Sequence, residues 1–447
     1  MAEVFDMQIS VFNRVKEYLT KSEKKNIDIS LSPLCFMTTW TKTVGHYKIL
    51  KLLKIKNFDF INYFIKDILS IGKYHDLEIS VPANPRNNNV LIVSYCSKAN
   101  FNSNGIFKDN YFSYDSNNKN YTWLLISLDN FIPDNLEENI YIFSKKTKKK
   151  FSAYFFIKII ISFFFDKNVK IKNIFHYMNS QFVFSKLITM QISKTFKNFK
   201  ISKLLINYEG IPFQHGIIKL FNKLNKNTKC ICYLHCAGWP VQTDLIYREK
   251  LIDILLVSGD DQKSVLSSHL NWPHDKIFSI PSLRFNKKND NELSGCLFIP
   301  YEIFYTKHVL NRFEKFLINS SNEELGKISL RIHPLNKNSK KHKNFENKIS
   351  FLMKKYKDKF SEKKKNISII FGYATGVCIQ ALEEGNTIYH FPYNKIIDVF
   401  SEEIWHNIKV YQIDSLIFKY ELKKKNKIFL TNYEDNKFEK YAKPFLT

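Results

Sequence analysis

The feature that most constrains this chain is a repeating grammar in which short apolar runs alternate with segments whose apolar residues recur at helical spacing. A chain written this way builds parallel sheets, because neighbouring parallel strands need a crossover between them and a helix is the usual one. In the first half the spans 89–95, 122–128, 203–208 and 229–234 are the clearest strands. Between the last two, Ile217, Leu220, Phe221 and Leu224 recur as one face of a helix over 213–224. The second half repeats the pattern: strands at 252–258, 277–280, 295–300, 327–332, 367–371 and 387–391, and helices at 261–270, 308–319, 345–356 and 377–384. This predicts an α/β fold with two Rossmann-like domains facing across a cleft. Their expected extents are 1–245 and 246–447, the latter ending in a tail. With 447 residues and 44% hydrophobic content, the chain exceeds what a single core usually organises.

The net charge of +26 points towards a polyanionic partner. Its composition weakens that inference. Only six of the 68 basic residues are Arg, and Lys is abundant throughout alongside Asn, Ile and Phe, the mark of coding bias rather than of a binding stripe. No recognisable nucleic-acid module accompanies the charge, so nucleic acid is not an expected partner. The start, Met-Ala-Glu-Val-Phe-Asp, lacks the basic-then-apolar pattern of a secretory signal, which predicts a cytoplasmic protein. The most apolar run, 153–165, is shorter than the roughly 20 residues of a spanning helix and contains Lys158, so it reads as a buried helix. Basic and aromatic surface leaves peripheral contact with the inner membrane as a further expectation.

Seven cysteines, an odd number, argue against a disulfide framework. Cys230, Cys232, His235 and Cys236 cluster, but 229–234 reads as a buried strand with Cys230 and Cys232 on one face. Zinc sites favour wider ligand loops, so no metal is expected.

Open parallel sheets bind ligands at the carboxyl ends of their strands, which singles out three places. Arg331 and His333 alternate onto one side of a strand that Pro334 ends, where guanidinium and imidazole could bind a phosphate oxygen. A packed structural histidine fits the same tetrapeptide. Gly372-Tyr373-Ala374-Thr375-Gly376 lies between a strand and a helix, a turn that offers backbone N–H groups and the Thr375 hydroxyl to an anion. An ordinary helix cap at Thr375 accounts for it equally. Glu209, in Tyr208-Glu209-Gly210, stands at a strand end of the first half, where a carboxylate can take a proton from a sugar hydroxyl. His235, just after the next strand, is a secondary candidate, as are Ser282 and Arg284 in the segment Pro281-Ser282-Leu283-Arg284-Phe285.

Taken together, Glu209-Gly210, His333-Pro334 and the Thr375 turn resemble the bacterial sialyltransferase and Kdo-transferase group of GT-B glycosyltransferases. The resemblance implies an α/β, GT-B-like fold, Glu209 as general base, and His333, Pro334 and Thr375 as holders of a CMP leaving group. More of the chain resembles a family of surface-carbohydrate biosynthesis proteins. That likeness runs through Val90-Leu91-Ile92-Val93-Ser94-Tyr95, Tyr208 to Phe213, Tyr233-Leu234-His235, Leu256-Val257-Ser258-Gly259, Pro281 to Phe285 and Leu297-Phe298-Ile299-Pro300. The chain departs from the pattern at Gln380, where many GT-B enzymes carry Glu, and at Tyr208, where related enzymes often carry a second acid.

The resulting expectation is a metal-independent, inverting glycosyltransferase without cofactor. It takes a nucleotide sugar as co-substrate, a CMP-linked nonulosonic acid such as Kdo or a sialic-acid-like sugar, and a surface polysaccharide or glycolipid as acceptor. Arg331, His333, Pro334, Thr375, Gly376 and Gln380 would hold the donor. Two alternatives share the same cleft: a CDP-polyol phosphotransferase, and an inactive carbohydrate- or nucleotide-binding partner in polysaccharide assembly.

Overall fold

The computed structural model describes residues 2–23, 60–115, 119–147, 149–165, 179–236, 240–249, 251–284, 293–301, 303, 305–333, 336–373, 376–423 and 434–447. Among these, two large sheets form. The first has the order β1-β6-β5-β2-β7-β8-β9-β10, from Leu77–Ser80 (β1), Val90–Cys96 (β2), Thr122–Ser127 (β5), Ile140–Lys145 (β6), Lys203–Tyr208 (β7), Lys229–Leu234 (β8), Ile254–Ser258 (β9) and Ile277–Ile280 (β10). All its pairings are parallel except that of edge strand β1 with β6. A small hairpin of Lys108–Asp109 (β3) and Tyr114–Asp115 (β4) stands apart.

The second sheet runs β12-β11-β13-β14-β16-β15. Its parallel part comprises Cys296–Ile299 (β11), Ser329–Ile332 (β12), Ile367–Phe371 (β13) and Thr387–Phe391 (β14). Ile408–Asp414 (β15) and Ile417–Leu422 (β16) close it as an antiparallel pair. The expected α/β architecture of two Rossmann-like, parallel-dominated sheets is therefore present. The sequence explains the central strands: β2, β5, β7, β8 and β9 are almost wholly buried, as befits strands covered on both faces.

The change of sheet falls later than the expected boundary at 245/246. Strands β9 and β10 extend the first sheet beyond β8, because β9 pairs with β8 and β10 with β9. The last residues, 434–447, also return to the first sheet. There Phe438 packs on Tyr114 at 4.4 Å, on Tyr121 at 5.9 Å and on Phe112 at 6.0 Å. Burying an aromatic side chain contributes about 1.5–3 kcal/mol, and Ala442 and Leu446, buried in the same cluster, add to it in holding the terminus against a sheet far from it in sequence.

The two sheets are tied together by buried polar contacts as well as apolar packing. Helix Ala2–Glu23 sends Gln8 to the carbonyls of Ile396 and Val399 at 2.8 and 2.7 Å, while Phe12 stacks on His269. Trp405 donates to the Pro240 carbonyl, and Asn407 donates twice to Asp261 at 2.9 and 2.7 Å. One apolar cluster runs from Val11 and Ile217 to Leu382 and Trp405 across both sheets.

Helix Ala153–Phe165 corrects one expectation. It forms as a helix, but of its residues only Phe163 is buried, and Tyr154, Ile157, Ile161, Phe164 and Phe165 face outward. Apolar residues occupy its whole circumference, so an apolar run alone did not distinguish one covered face from two. No helix among the described residues is long and apolar enough to cross a membrane.

Candidate functional site

The carboxyl ends of β2, β7, β8 and β10 converge on a cluster built around Glu209. The helix Pro212–Leu224 begins immediately after it, with Pro212 at its first position, where the missing N–H costs nothing. Gln214, at the third helical position, reaches back and accepts from the backbone N–H groups of Glu209 at 2.9 Å and Ile211 at 3.2 Å. Its amide group donates to the Asn207 carbonyl at 2.7 Å and to the Tyr95 hydroxyl at 3.2 Å. Gly210 holds φ at +77°, and a Cβ there would stand 2.5 Å from the Asp244 carbonyl oxygen. The Glu209 backbone is thus fixed from both sides.

The Glu209 side chain remains 35% exposed while its partner His235 is 3% exposed. His235 Nε2–H donates to Glu209 Oε1 at 2.9 Å, and Nδ1 is buried without a partner among the described residues. Tyr111 stands edge-on to the imidazole at 4.7 Å, and Tyr95 closes another side at 6.3 Å. Arg284, projecting beyond β10, lies over the Tyr111 ring at 5.1 Å. Burial works to raise the Glu209 pKa, but the hydrogen bond and charge of His235, the Cys236 contact and the Arg284 guanidinium outweigh it. The carboxylate is held below its ordinary range and is ionised at neutral pH. Burial pushes the Tyr111 phenol up to about 12, with Arg284 opposing and Glu209 reinforcing the shift.

Glu209, His235 and Cys236 also present ligand atoms within 4.8 Å of one another, so among the described residues these three could hold a metal ion. Burial, reinforced by the Glu209 charge, drives the Cys236 thiol well above its ordinary pKa, which favours the protonated thiol over a metal-binding thiolate. Cys230 and Cys232 are separate from this trio, buried in the core on one face of β8.

The Arg284 charge also reaches the second sheet, where it acts on His333. His333 follows β12, its N–H bonded to the Ile299 carbonyl at 3.1 Å and its ring edge-on to Tyr301 at 5.3 Å. Burial lowers its pKa, and the positive charge of Arg284 adds to the effect, as does His342. Its imidazole is therefore neutral at pH 7. Arg331 lies within β12, opposite Phe298. Gly376 opens the helix Gly376–Glu383, on which Gln380 is half-buried. Pro334 and Thr375 lie outside the described residues. Gly372, at the start of the turn, has φ +79° and donates its N–H to the Phe391 carbonyl at 2.9 Å. The Gly372 carbonyl accepts from the buried His390, whose other nitrogen takes the Tyr420 hydroxyl at 2.8 Å.

Ser282 is fully buried, with its hydroxyl 3.3 Å from the Tyr233 hydroxyl and accepting the Arg284 N–H at 3.3 Å. It shapes the chain that presents Arg284. Beside Arg284 opens a pocket of ≈ 690 Å³, lined also by Lys108, Asp109, Asn110, Ser113 and Lys437. This lies within the range of small-ligand sites. Asp109 at its edge is buried, which raises its pKa to about 6, although the Phe112 and Tyr111 amides and the Ser94 hydroxyl oppose the rise. Reading the sequence did not single out Tyr95, Tyr111, Gln214 or Lys437. Tyr95 ends a strand and was open to discovery by strand-end reasoning, whereas Tyr111 sits in a loop with no periodic signal.

No protein-family model and no curated protein matches the sequence. A solved structure with some similarity is UDP-GlcNAc 2-epimerase from Neisseria meningitidis bound to UDP-GlcNAc. It is 13% identical, covering 66% of this chain and 80% of that one, with a TM-score of 0.32. So loose a superposition transfers neither fold nor chemistry, and both rest on this chain's own sheets and side chains.

Proposed function

We propose that this protein is a GT-B-like glycosyltransferase that moves a sugar from a nucleotide sugar onto a surface-glycan or glycolipid acceptor, with Glu209 as general base. The observation that carries the reading is the Glu209–His235 pair. A partly exposed carboxylate at a strand end is clamped at 2.9 Å by a buried imidazole, and the Arg284 charge acts both on it and on His333 of the other sheet. In this reading the acceptor hydroxyl gives its proton to Glu209 as its oxygen bonds to the anomeric carbon. The bond from that carbon to the nucleotide phosphate oxygen breaks, and the electron pair leaves with the phosphate. Arg284, Arg331 and the neutral His333 N–H would stabilise the charge that develops there. His235 orients the base and does not itself meet the substrate.

The finer assignment is to a CMP-linked nonulosonic sugar, following the motif order of Glu209-Gly210, His333-Pro334 and Thr375. Gly376 and Gln380 would complete the nucleotide side. The test is thermal stabilisation by CMP, CDP, UDP, GDP and dTDP, because a nucleotide bound only by the folded state raises stability by mass action. The largest shift is expected with CMP. Stabilisation by UDP or GDP alone would remove the CMP assignment, and a product linkage containing phosphorus would favour polyol-phosphate transfer.

A further inference from the structure

Helix Ala153–Phe165 is covered on one side only. Phe155, Phe156, Ile159 and Ile160 pack on the first-sheet core, and Phe163 is buried there. On the opposite side Tyr154 is 78% exposed, Ile157 54%, Ile161 50%, Phe164 60% and Phe165 79%. Positions 154, 157, 161 and 164 follow one another at three- and four-residue steps, so they form a single outward stripe. A surface helix facing water ordinarily places charge on such a stripe. Ile65 and Leu69, also about half exposed, belong to helix Phe60–Ser70, and both helices pack against the turn Ile71–Tyr74.

Charge decides what covers this face. Between Lys145 and Phe165 the sequence has six lysines and no Asp or Glu. Lys146, Lys149, Lys150 and Lys158 are exposed. A second copy docking through a two-fold contact would bring this lysine-bearing face against the same face of its partner, which is repulsive. An apolar, aromatic stripe preceded by a run of exposed lysines, of which Lys146 is paired with Glu78 and Lys149 and Lys150 follow it, instead matches an anionic lipid surface, where rings settle at the headgroup level and lysines meet lipid charge. The helix, 13 residues long, is too short to span a bilayer, and its length suits one that rests along the surface.

We propose that Tyr154, Ile157, Ile161, Phe164 and Phe165, with the lysines that precede them, form a docking face for an anionic membrane surface. The proposal is independent of the transfer chemistry, because lipid binding is read without turnover. The experiment is co-sedimentation of the whole chain with vesicles of phosphatidylglycerol in phosphatidylcholine, and with phosphatidylcholine vesicles alone.

Binding is expected to the anionic vesicles only, and to weaken with salt. The triple substitution Ile157→Glu, Ile161→Glu, Phe164→Glu should lower it about tenfold or more with an unchanged circular dichroism spectrum. Lys149→Ala with Lys150→Ala, both at exposed positions, should cost about fivefold per residue and keeps the test valid if the triple variant misfolds. Equal binding to both vesicle types, or wild-type binding by both sets of variants, would overturn the proposal. So would a wild-type dimer that binds no vesicles and that the triple substitution splits, since the face would then belong to a second copy.

Discussion

The strand ends of the two sheets meet the candidate cleft in different ways. On the first sheet, the reactive side chains are held by other side chains: Gln214 fixes the Glu209 backbone, His235 its carboxylate, and Tyr111 lies against both His235 and Arg284. On the second sheet, the expected contacts depend on backbone: an edge strand presents Arg331 and His333, and a positive-φ glycine directly follows β13, ahead of the helix that Gly376 opens. The first arrangement suits a group that must keep one geometry through a reaction. The second suits a ligand recognised mainly by N–H groups and a helix end.

If that contrast is right, the largest effect of any single change falls on the first sheet and on rate. Glu209→Gln keeps size and hydrogen-bonding capacity but removes the proton acceptor, so turnover should fall about 10²- to 10⁴-fold. Donor affinity, measured by titration calorimetry, should barely move. A variant that lost nucleotide binding instead would make Glu209 a ligand contact. Near-normal turnover would pass the role of base to His235.

A second comparison sets the two glycines against each other. Both hold positive φ, which costs a non-glycine residue about 1–2 kcal/mol. An added Cβ at Gly210 meets the Asp244 backbone carbonyl at 2.5 Å, whereas at Gly372 it meets the Tyr393 ring at the same distance. A ring can rotate away and a buried backbone carbonyl cannot. Gly210→Ala should therefore lose about 3 kcal/mol or more in urea unfolding, and Gly372→Ala about 1–2 kcal/mol. Equal losses would show that Tyr393 is as fixed as the backbone.

The same contrast explains what was legible in the sequence. Strands β7, β8, β10, β13 and β14 were found to the residue because each is a compact apolar run closed by a polar or turn-forming residue. Helix Ser180–Thr195 escaped because its apolar residues are spread around the axis, and β15 and β16 because lysines and acids interrupt them. Glu209 and His235 were readable as strand-end residues; their 2.9 Å pairing was not, since it depends on two adjacent parallel strands ending level. The return of Phe438 to the first sheet left no local trace, being a contact between residues more than 300 apart.

On the second sheet the effects should be smaller. Because burial and Arg284 keep His333 neutral, it offers an uncharged hydrogen bond. His333→Ala should weaken nucleotide binding by about 0.5–1.5 kcal/mol, not the larger amount expected of a charged donor. Calorimetry at pH 7 checks the size. An unchanged affinity in the folded variant would make His333 a packing residue against Tyr301.

The smallest effect expected concerns the imidazole beneath the turn. Burial drives the His390 pKa down to about 3, with the Gly372 carbonyl opposing and Arg312 reinforcing the shift, so the ring is neutral in the folded protein. In the unfolded chain it takes up a proton near its ordinary 6.5. Between these values the unfolded state binds more protons, so stability from this group is full above about pH 6.5 and is lost as pH falls towards 3. Asp244 and Asp398, pushed up to about 7 by burial, act in the opposite sense: their cost appears as pH rises from the ordinary carboxylate range. A whole-protein profile mixes these slopes, whereas a matched pair isolates one. His390→Gln keeps a donor for Gly372 and an acceptor for the Tyr420 hydroxyl but cannot titrate. The stability difference, wild type minus variant, should shrink by under about 1 kcal/mol between pH 7 and 6, and keep falling below it. If that difference stays flat from pH 7 to 4, His390 accommodates its proton in place, and the turn at Gly372 does not depend on a neutral ring.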